Sequence, residues 1–435
     1  MSQPLTALDL QRSDPSGDWR VLAWGATTWY AAPSHRAGAG LARRLAELDG
    51  QGAGTTVDVD VRADGVRVRI PLTPQDDGFR AVHLEMARSV SEAAADLGLR
   101  ADPAAVQDVQ LAMDALDPAV VMPFWQRVLG YDLLEEDVVD PFRRTTPIWF
   151  QQQDAPRPLR NRLHLDVVTP GEVAVGSVAA VPGLGGTVLH DHGYYATVAD
   201  PEGNEADLLP LPAGTDRWEG AATEDWRLVF AAVACYPTSS PRQAVDLAEA
   251  VADLADAASL PLGIDLRPGL VTIDSGKDAW EMDARYEVLA ARVQEAARDL
   301  GLGADPALAR FVQVVIDAVD VPTVRLFWQA ALGYRPDPRE GVTDLVDPRQ
   351  LNLPVLFQPM EATETDRRAQ RNRIHLDVFV PDDQLAARVE AAVTAGGTIV
   401  RDAGPIWWTV ADPEGNEVDL TTAVGREEQW AAQQG

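Results

Sequence analysis

The chain repeats itself, and that duplication constrains its fold more than any other feature. Asp18–Arg20 (DWR) recurs at Asp225–Arg227, and Asp96–Leu99 (DLGL) at Asp299–Leu302. Ala101–Pro103 recurs at Ala304–Pro306, and Phe124–Gln126 with Leu129–Tyr131 at Phe327–Gln329 with Leu332–Tyr334. Asn161–Val167 (NRLHLDV) returns as Asn372–Val378 (NRIHLDV), and Ala199–Leu208 (ADPEGNEADL) as Ala411–Leu420 (ADPEGNEVDL). The offset is 203 residues at Asp96 and Asp299 but 211 at His164 and His375, so one insertion of about eight residues separates the copies. The chain therefore reads as two copies of one two-part unit. Each copy is expected to fold on itself, with the halves divided near Asp216.

Within each NR-x-HLD stretch, polar and apolar residues alternate. Arg162, His164 and Asp166 fall opposite Leu163, Leu165 and Val167, the period of a strand with one wet face. DPEGN is a turn, in which Pro sets one φ and Gly supplies the left-handed residue. A strand leaving that turn carries Asp207, or Asp419 in the second copy. One His from the entering strand and one carboxylate from the closing strand make a candidate site, with His164 and Asp166, or His375 and Asp377, as candidates for proton transfer and Arg162 and Arg373 as carboxylate clamps. The bland alternative pairs the arginine with the aspartate and leaves the histidine in a polar niche.

Composition narrows the partners. A formal charge of −30 and a pI near 4.4 argue against nucleic acid and anionic membranes. One cysteine, Cys235, excludes an internal disulfide and any multi-cysteine metal site, as a cytoplasmic setting would favour. Lys277 is the single lysine, which all but removes Schiff-base chemistry. No signal-peptide pattern opens the chain and no stretch is apolar enough for a membrane span.

The expected parts are a small segment at 18–100, a larger one at 101–212, a Pro/Gly/acidic linker at 213–224, and their repeats at 225–303 and 304–424. The small segment reads β-α-β-β-α, with a strand over Val21–Ala31, helices over Gly38–Leu48 and Phe79–Leu97, and strands Thr56–Val61 and Val66–Leu72 between them. In element order and in the cadence LAELDG…VDVDV…GVRVRIPLT it resembles pterin-4a-carbinolamine dehydratase. That resemblance implies three catalytic histidines. Gln51, Gly52 and Gln75 stand at those positions in the first copy, and Ser259, Leu260 and Lys277 thereabouts in the second. Glutamine neither gives nor takes a proton near pH 7, so 4a-hydroxytetrahydrobiopterin dehydration is the least favoured function, and the segments are expected to be structural or dimerising.

The larger segment divides into two βαβββ halves. The first holds the strand Val106–Met113, the helix Pro118–Leu129 closed by Gly130, and strands ending at Pro147–Gln152. The paired modules, the FWxxxLGY helix and the DPEGN turn resemble the vicinal-oxygen-chelate superfamily of glyoxalase I, bleomycin-resistance proteins and extradiol dioxygenases. The fold class is thus α+β, a tandem duplication of a small β-α-β-β-α domain and a paired βαβββ glyoxalase-like domain. The resemblance implies that the two modules of one copy form a cup for a small molecule. It also implies metal ligands at Gln110, His164 and Asp207, with Gln313, His375 and Asp419 in the second copy. The second position of the set, among Trp149–Gln151 or Leu356–Gln358, carries no carboxylate. Hard cations prefer more anionic oxygen, so polar cup lining is the favoured reading over a divalent ion, and no cofactor is certain.

Gln110, Gln313, Trp149, Tyr195 and Trp407 join the arginines as expected ligand contacts, the aromatic rings by stacking or else by packing. His190 and His192, matched by Arg401 and Ala403, read as loop polarity. Three functions remain: a small-molecule binder, a lyase or isomerase of glyoxalase type, and the disfavoured pterin enzyme. A homo-oligomer is compatible with all three.

Overall fold

A computed structural model describes residues 4–49, 56–72 and 78–429. The fold is mixed α+β, built on three sheets of nine, eight and eight strands. The chain divides into two compact units, one of Met1–Val106, Asp216–Ala309 and Ala423–Gly435, the other of Gln107–Thr215 and Arg310–Thr422. Each unit therefore draws on both copies.

The first unit contains both small segments, and each shows the expected β-α-β-β-α order. In the first copy these are Gly25–Ala31, His35–Asp49, Asp58–Arg62, Gly65–Pro71 and Ala81–Asp96. The run expected as one strand over Val21–Ala31 breaks instead into Arg20–Leu22 and Gly25–Ala31, which pair antiparallel with Leu22 opposite Gly25. Gly25 allows the reversal: its φ is +131°, and a Cβ there would meet the Ile70 carbonyl oxygen at 2.1 Å. The copies then join edge to edge, Asp58–Arg62 antiparallel to Gly263–Arg267, giving one nine-stranded sheet. At that seam Asp60 lies opposite Asp265. Burial alone would keep Asp60 protonated, but Arg267, Arg67 and Arg62 outweigh it and hold the carboxyl well below its usual range. Arg67 and Arg267 each donate to Asp60 at 2.6 Å, and Arg62 donates to Asp265 at 2.6 Å.

The second unit corrects the expectation of self-contained copies more sharply. Strand Leu163–Val168 pairs antiparallel with Phe311–Ala318 of the other copy, and Ile374–Phe379 pairs with Asp108–Ala115. Each eight-stranded sheet is thus one module from each copy, and both sheets run across the duplication. The two modules of one copy meet instead through their helices. Pro118–Leu129 packs on Gly171–Ala180, and Val321–Leu332 on Leu385–Thr394. Phe124, Trp125, Phe327 and Trp328 sit in one buried core with Leu163, Leu165, Leu376 and Val378. Gly130 closes its helix in the left-handed region, as its position suggests.

The repeated motifs explain the exchange. Asn161 Oδ1 accepts the Arg373 backbone N–H and Asn372 Oδ1 accepts that of Arg162, both at 2.9 Å. The Arg373 side chain reaches the first copy's turn, donating to Asn204 Oδ1 and to the Gly203 carbonyl, each at 2.8 Å. Arg162 reaches the second copy's turn, donating to the carbonyls of Glu414 and, at 3.1 Å, Gly415. Each turn is itself tied down within its copy. Trp125 Nε1 donates to Asp200 at 2.9 Å, and the Glu202 carboxylate accepts the N–H groups of Leu116 and Asp117 at 2.8 Å. Trp328, Asp412 and Glu414 repeat the arrangement. The pair NR and the turn DPEGN together form the clasp that holds the copies in exchange.

Candidate functional site

Alternation in the exchanged strands sends His164 and Asp166 to the polar face of one sheet, and His375 and Asp377 to that of the other. The strand register then builds a row of five residues directly opposite one another. In the His164 sheet these are His190, Thr197, Asp207, Asp166 and Gln313. In the His375 sheet they are Arg401, Thr409, Asp419, Asp377 and Gln110. Only the first member of each row differs.

Each histidine stands beside its row. His164 Nε2 lies 3.9 Å from Asp166 Oδ1 and 3.8 Å from Asp207 Oδ2. His375 Nε2 lies 3.6 Å from Asp377 Oδ1. These are too long for good hydrogen bonds. In each triad one ligand atom per residue falls within 4.8 Å of the other two. An imidazole nitrogen and two carboxylates at such spacing fit a divalent cation after a small inward movement, since bonds of about 2.0–2.2 Å bring ligands somewhat closer together. Two further observations bear on the fit. Asp419 Oδ1 is buried without a hydrogen-bond partner, as a ligand oxygen lacking its ion would be. His164 Nδ1 is also buried without one, so that ring lacks the outer acceptor that usually supports a ligating imidazole.

The ligand sets differ from those expected within single copies. Gln313 belongs with His164 and Asp207, donating from Nε2 to Asp166 Oδ2 at 2.6 Å. Gln110 belongs with His375 and Asp419, opposite Asp377. Strand exchange is the reason: each glutamine travels with the first module of its copy into the sheet of the other copy's histidine.

Arg162 and Arg373, the expected clamps, are 1% and 2% exposed and give their guanidinium groups to main-chain and Asn204 oxygens of the clasp. Burial lowers the pKa of both, opposed by Asp412 and Glu414 for Arg162 and by Asp200 and Glu202 for Arg373. They serve the exchange in place of ligand binding, a correction to their expected role.

Around the rows the sheets diverge. Trp149 Nε1 donates to Asp377 Oδ2 at 2.9 Å, whereas Leu356 holds the corresponding place in the His164 sheet. Tyr195 stacks on His192 with ring centres 4.3 Å apart, and His192 lies 5.8 Å from His190. His190, read as loop polarity, lies on a strand instead, opposite Thr197. In the second sheet Arg401 lies over the Trp407 ring at 4.8 Å.

Thr197 was not anticipated, although it donates to Asp207 at 2.6 Å. The signal was present: Thr197 precedes the DPEGN turn by the same interval at which Asp207 follows it, so a hairpin there sets them opposite each other. The two remaining histidines have structural partners. His35 Nδ1 lies 2.7 Å from Asp256, and His83 Nδ1 accepts the Arg80 N–H. Gln51, Gly52 and Gln75 lie outside the described residues. Ser259 ends a helix in the left-handed region, Leu260 is buried, and Lys277 lies over the Phe230 ring.

Two paired sheets of βαβββ modules with a His/Asp/Asp group on each polar face define the class. Residues 110–209 and 313–421 both match the glyoxalase-like domain family, so the chain carries that domain in two copies. Among solved structures it is similar to glyoxalase I from Zea mays, at 12% identity over 75% of this chain and 96% of that one, with a TM-score of 0.37. A putative dioxygenase from Bacillus subtilis subsp. subtilis str. 168 is similar at 8% identity over 75% and 88%, with a TM-score of 0.35. Among curated proteins none matches the sequence. No helix among the described residues is long and apolar enough to cross a membrane.

Proposed function

We propose that each polar sheet face is a cup that holds a divalent cation and, over it, a small organic molecule bearing oxygen donors. One observation carries the reading: the same His/Asp/Asp group is assembled twice, each time from one copy's histidine strand and closing strand, beside the other copy's glutamine. His164, Asp166 and Asp207 would hold one cation, and His375, Asp377 and Asp419 the other. A bound cation would supply a Lewis acid for a carbonyl or enolate oxygen. The protein's part is to orient the carboxylates, through Gln313 on Asp166 and Trp149 on Asp377, and to line the face with Thr197 and Thr409. On this reading the chain is a small-molecule-binding protein of the glyoxalase-like class. Lyase or isomerase turnover is its enzymatic extension, with His164 or His375 as the proton carrier if no ion is held. The small β-α-β-β-α modules we take as a structural platform.

The test is calorimetric titration of the metal-stripped full chain with Mn²⁺. Two sites are expected, with His164→Ala and His375→Ala each removing one and the double variant removing both. Absence of Mn²⁺ binding, or binding indifferent to both substitutions, defeats the reading.

A further inference from the structure

The two faces share their cation-holding groups but not their rims, and the second rim has a distinct chemistry. Arg401 is exposed, and among the described residues it has no acidic partner; its one contact of note is the Trp407 ring beneath it. In a chain with 67 acidic and 37 basic residues, an arginine on a binding face without a carboxylate is conspicuous. Trp407 is half-buried, and its indole N–H is a buried donor with no acceptor. On the far side of the row, Trp149 is held by its bond to Asp377. We propose that the His375 face receives a planar organic anion, an aromatic or heteroaromatic carboxylate, with its acid group on Arg401 and its ring against Trp407.

Dimensions support one ring. Arg401 stands two strands from Asp419, with Thr409 between, and neighbouring strands are about 4.8 Å apart, so the guanidinium strand lies roughly 10 Å from the Asp419 strand. A single ring with a carboxylate at one end and an oxygen donor toward the triad spans that interval. Arginine favours the carboxylate through paired N–H donors, and the indole face favours both the ring and the guanidinium. The His164 face offers His190 in place of Arg401, Tyr195 in place of Trp407 and Leu356 in place of Trp149. It lacks both the permanent cation and the paired indoles, so the two faces take different ligands.

This inference rests on the cation reading, because without a cation Asp377 and Asp419 would repel an anion. 4-Hydroxybenzoate, which carries a carboxylate and an oxygen at opposite ends of one ring, and its neutral amide 4-hydroxybenzamide are the probes. Both are titrated calorimetrically into the Mn²⁺-loaded full chain. One 4-hydroxybenzoate per chain is expected, weakened at least tenfold by Arg401→Gln and severalfold by Trp407→Leu, and unchanged by His190→Gln. 4-Hydroxybenzamide should bind at least tenfold more weakly and be indifferent to Arg401→Gln. 4-Hydroxybenzoate binding unaltered by Arg401→Gln, two equal sites, or no 4-hydroxybenzoate binding while Mn²⁺ still binds would overturn the assignment and leave the cation reading intact. Failure of Mn²⁺ itself to bind defeats the cation reading, and absence of Arg401-dependent 4-hydroxybenzoate binding to the apo chain then overturns the anion site as well.

Discussion

The His164 and His375 sheets are near-copies in their skeleton and diverge at their margins. Both have the five-residue row, the histidine beside it and the Asn–Arg clasp behind it. They part at Gln313 on Asp166 against Trp149 on Asp377, at Leu356 against Trp149, and at His190 against Arg401. What the copies keep is what holds two exchanged modules together and two carboxylates beside an imidazole. What they change is what a bound molecule would touch. Duplication with exchange also makes each face a joint product of both copies, so each face depends on residues from both.

The clasp should give the largest effect. Asn161→Ala strips the acceptor from the buried Arg373 N–H, an unpaired buried group costing about 1–3 kcal/mol, and removes one of the two donors to Asn204 Oδ1, a hydrogen bond worth about 0.5–1.5 kcal/mol. Thermal or urea unfolding of the full chain should show a loss of about 2–4 kcal/mol, and Asn372→Ala should match it. A loss in one copy only would mean that the clasp is not reciprocal.

Next comes a test of the exchange at the site itself. In a His375→Ala background only the His164 face should bind Mn²⁺. There Gln313→Leu removes a charge-assisted hydrogen bond to Asp166 worth about 1.5–3 kcal/mol, so affinity should change by about tenfold or more. Gln110→Leu, in the same copy as His164, should leave it unchanged. If Gln110 mattered and Gln313 did not, each face would belong to a single copy. A smaller change sharpens the comparison between faces. Trp149→Leu gives the His375 face the residue that the other has at that place, and removes a bond that positions Asp377. Mn²⁺ affinity should fall severalfold at that face, about 1 kcal/mol, with the His164 face unaltered.

Much of this was legible in the residues. Alternation in NRLHLDV fixes which face His164 and Asp166 occupy, because Leu163 and Leu165 need the core. The left-handed glycines of DPEGN follow from turn chemistry, and Gly203 and Gly415 have φ of +81° and +83°. The exchange was not legible. Identical modules offer identical edges, so a strand's pattern cannot say whether its neighbour comes from its own copy or the other. The outcome depends on the linkers between modules and on side chains such as Arg162, whose role looks like ligand binding until its partner turn is known. The misgrouping followed from this: the alternation placed each histidine on its polar face, but the glutamines were assigned to the wrong histidines.

The smallest expected effect concerns a carboxyl at the edge of the His375 sheet. Asp137 lies opposite Trp149, and burial, then the charges of Glu136 and Glu135, push its pKa up to about 6. In the His164 sheet Asp344 holds that place, preceded by Val342 and Thr343, so the crowding of like charge belongs to one face only. A carboxyl with a raised folded-state pKa keeps its proton in the native state after the unfolded chain, at about 3.9, has released its own. The native state then binds more protons, and stability falls as pH rises between about 4 and 6 and levels off above. Asp137→Asn removes that titration. The variant should equal the parent below about pH 4 and exceed it at pH 7 by no more than about 1 kcal/mol, since Asp137 is only partly buried and solvent screens it. Glu135→Gln with Glu136→Gln should recover a smaller part of the same gain, because burial is the larger cause. Urea midpoints measured from pH 4 to pH 8 decide it: a difference that is constant with pH would assign the effect to packing, and the crowded carboxyl would no longer distinguish the two faces.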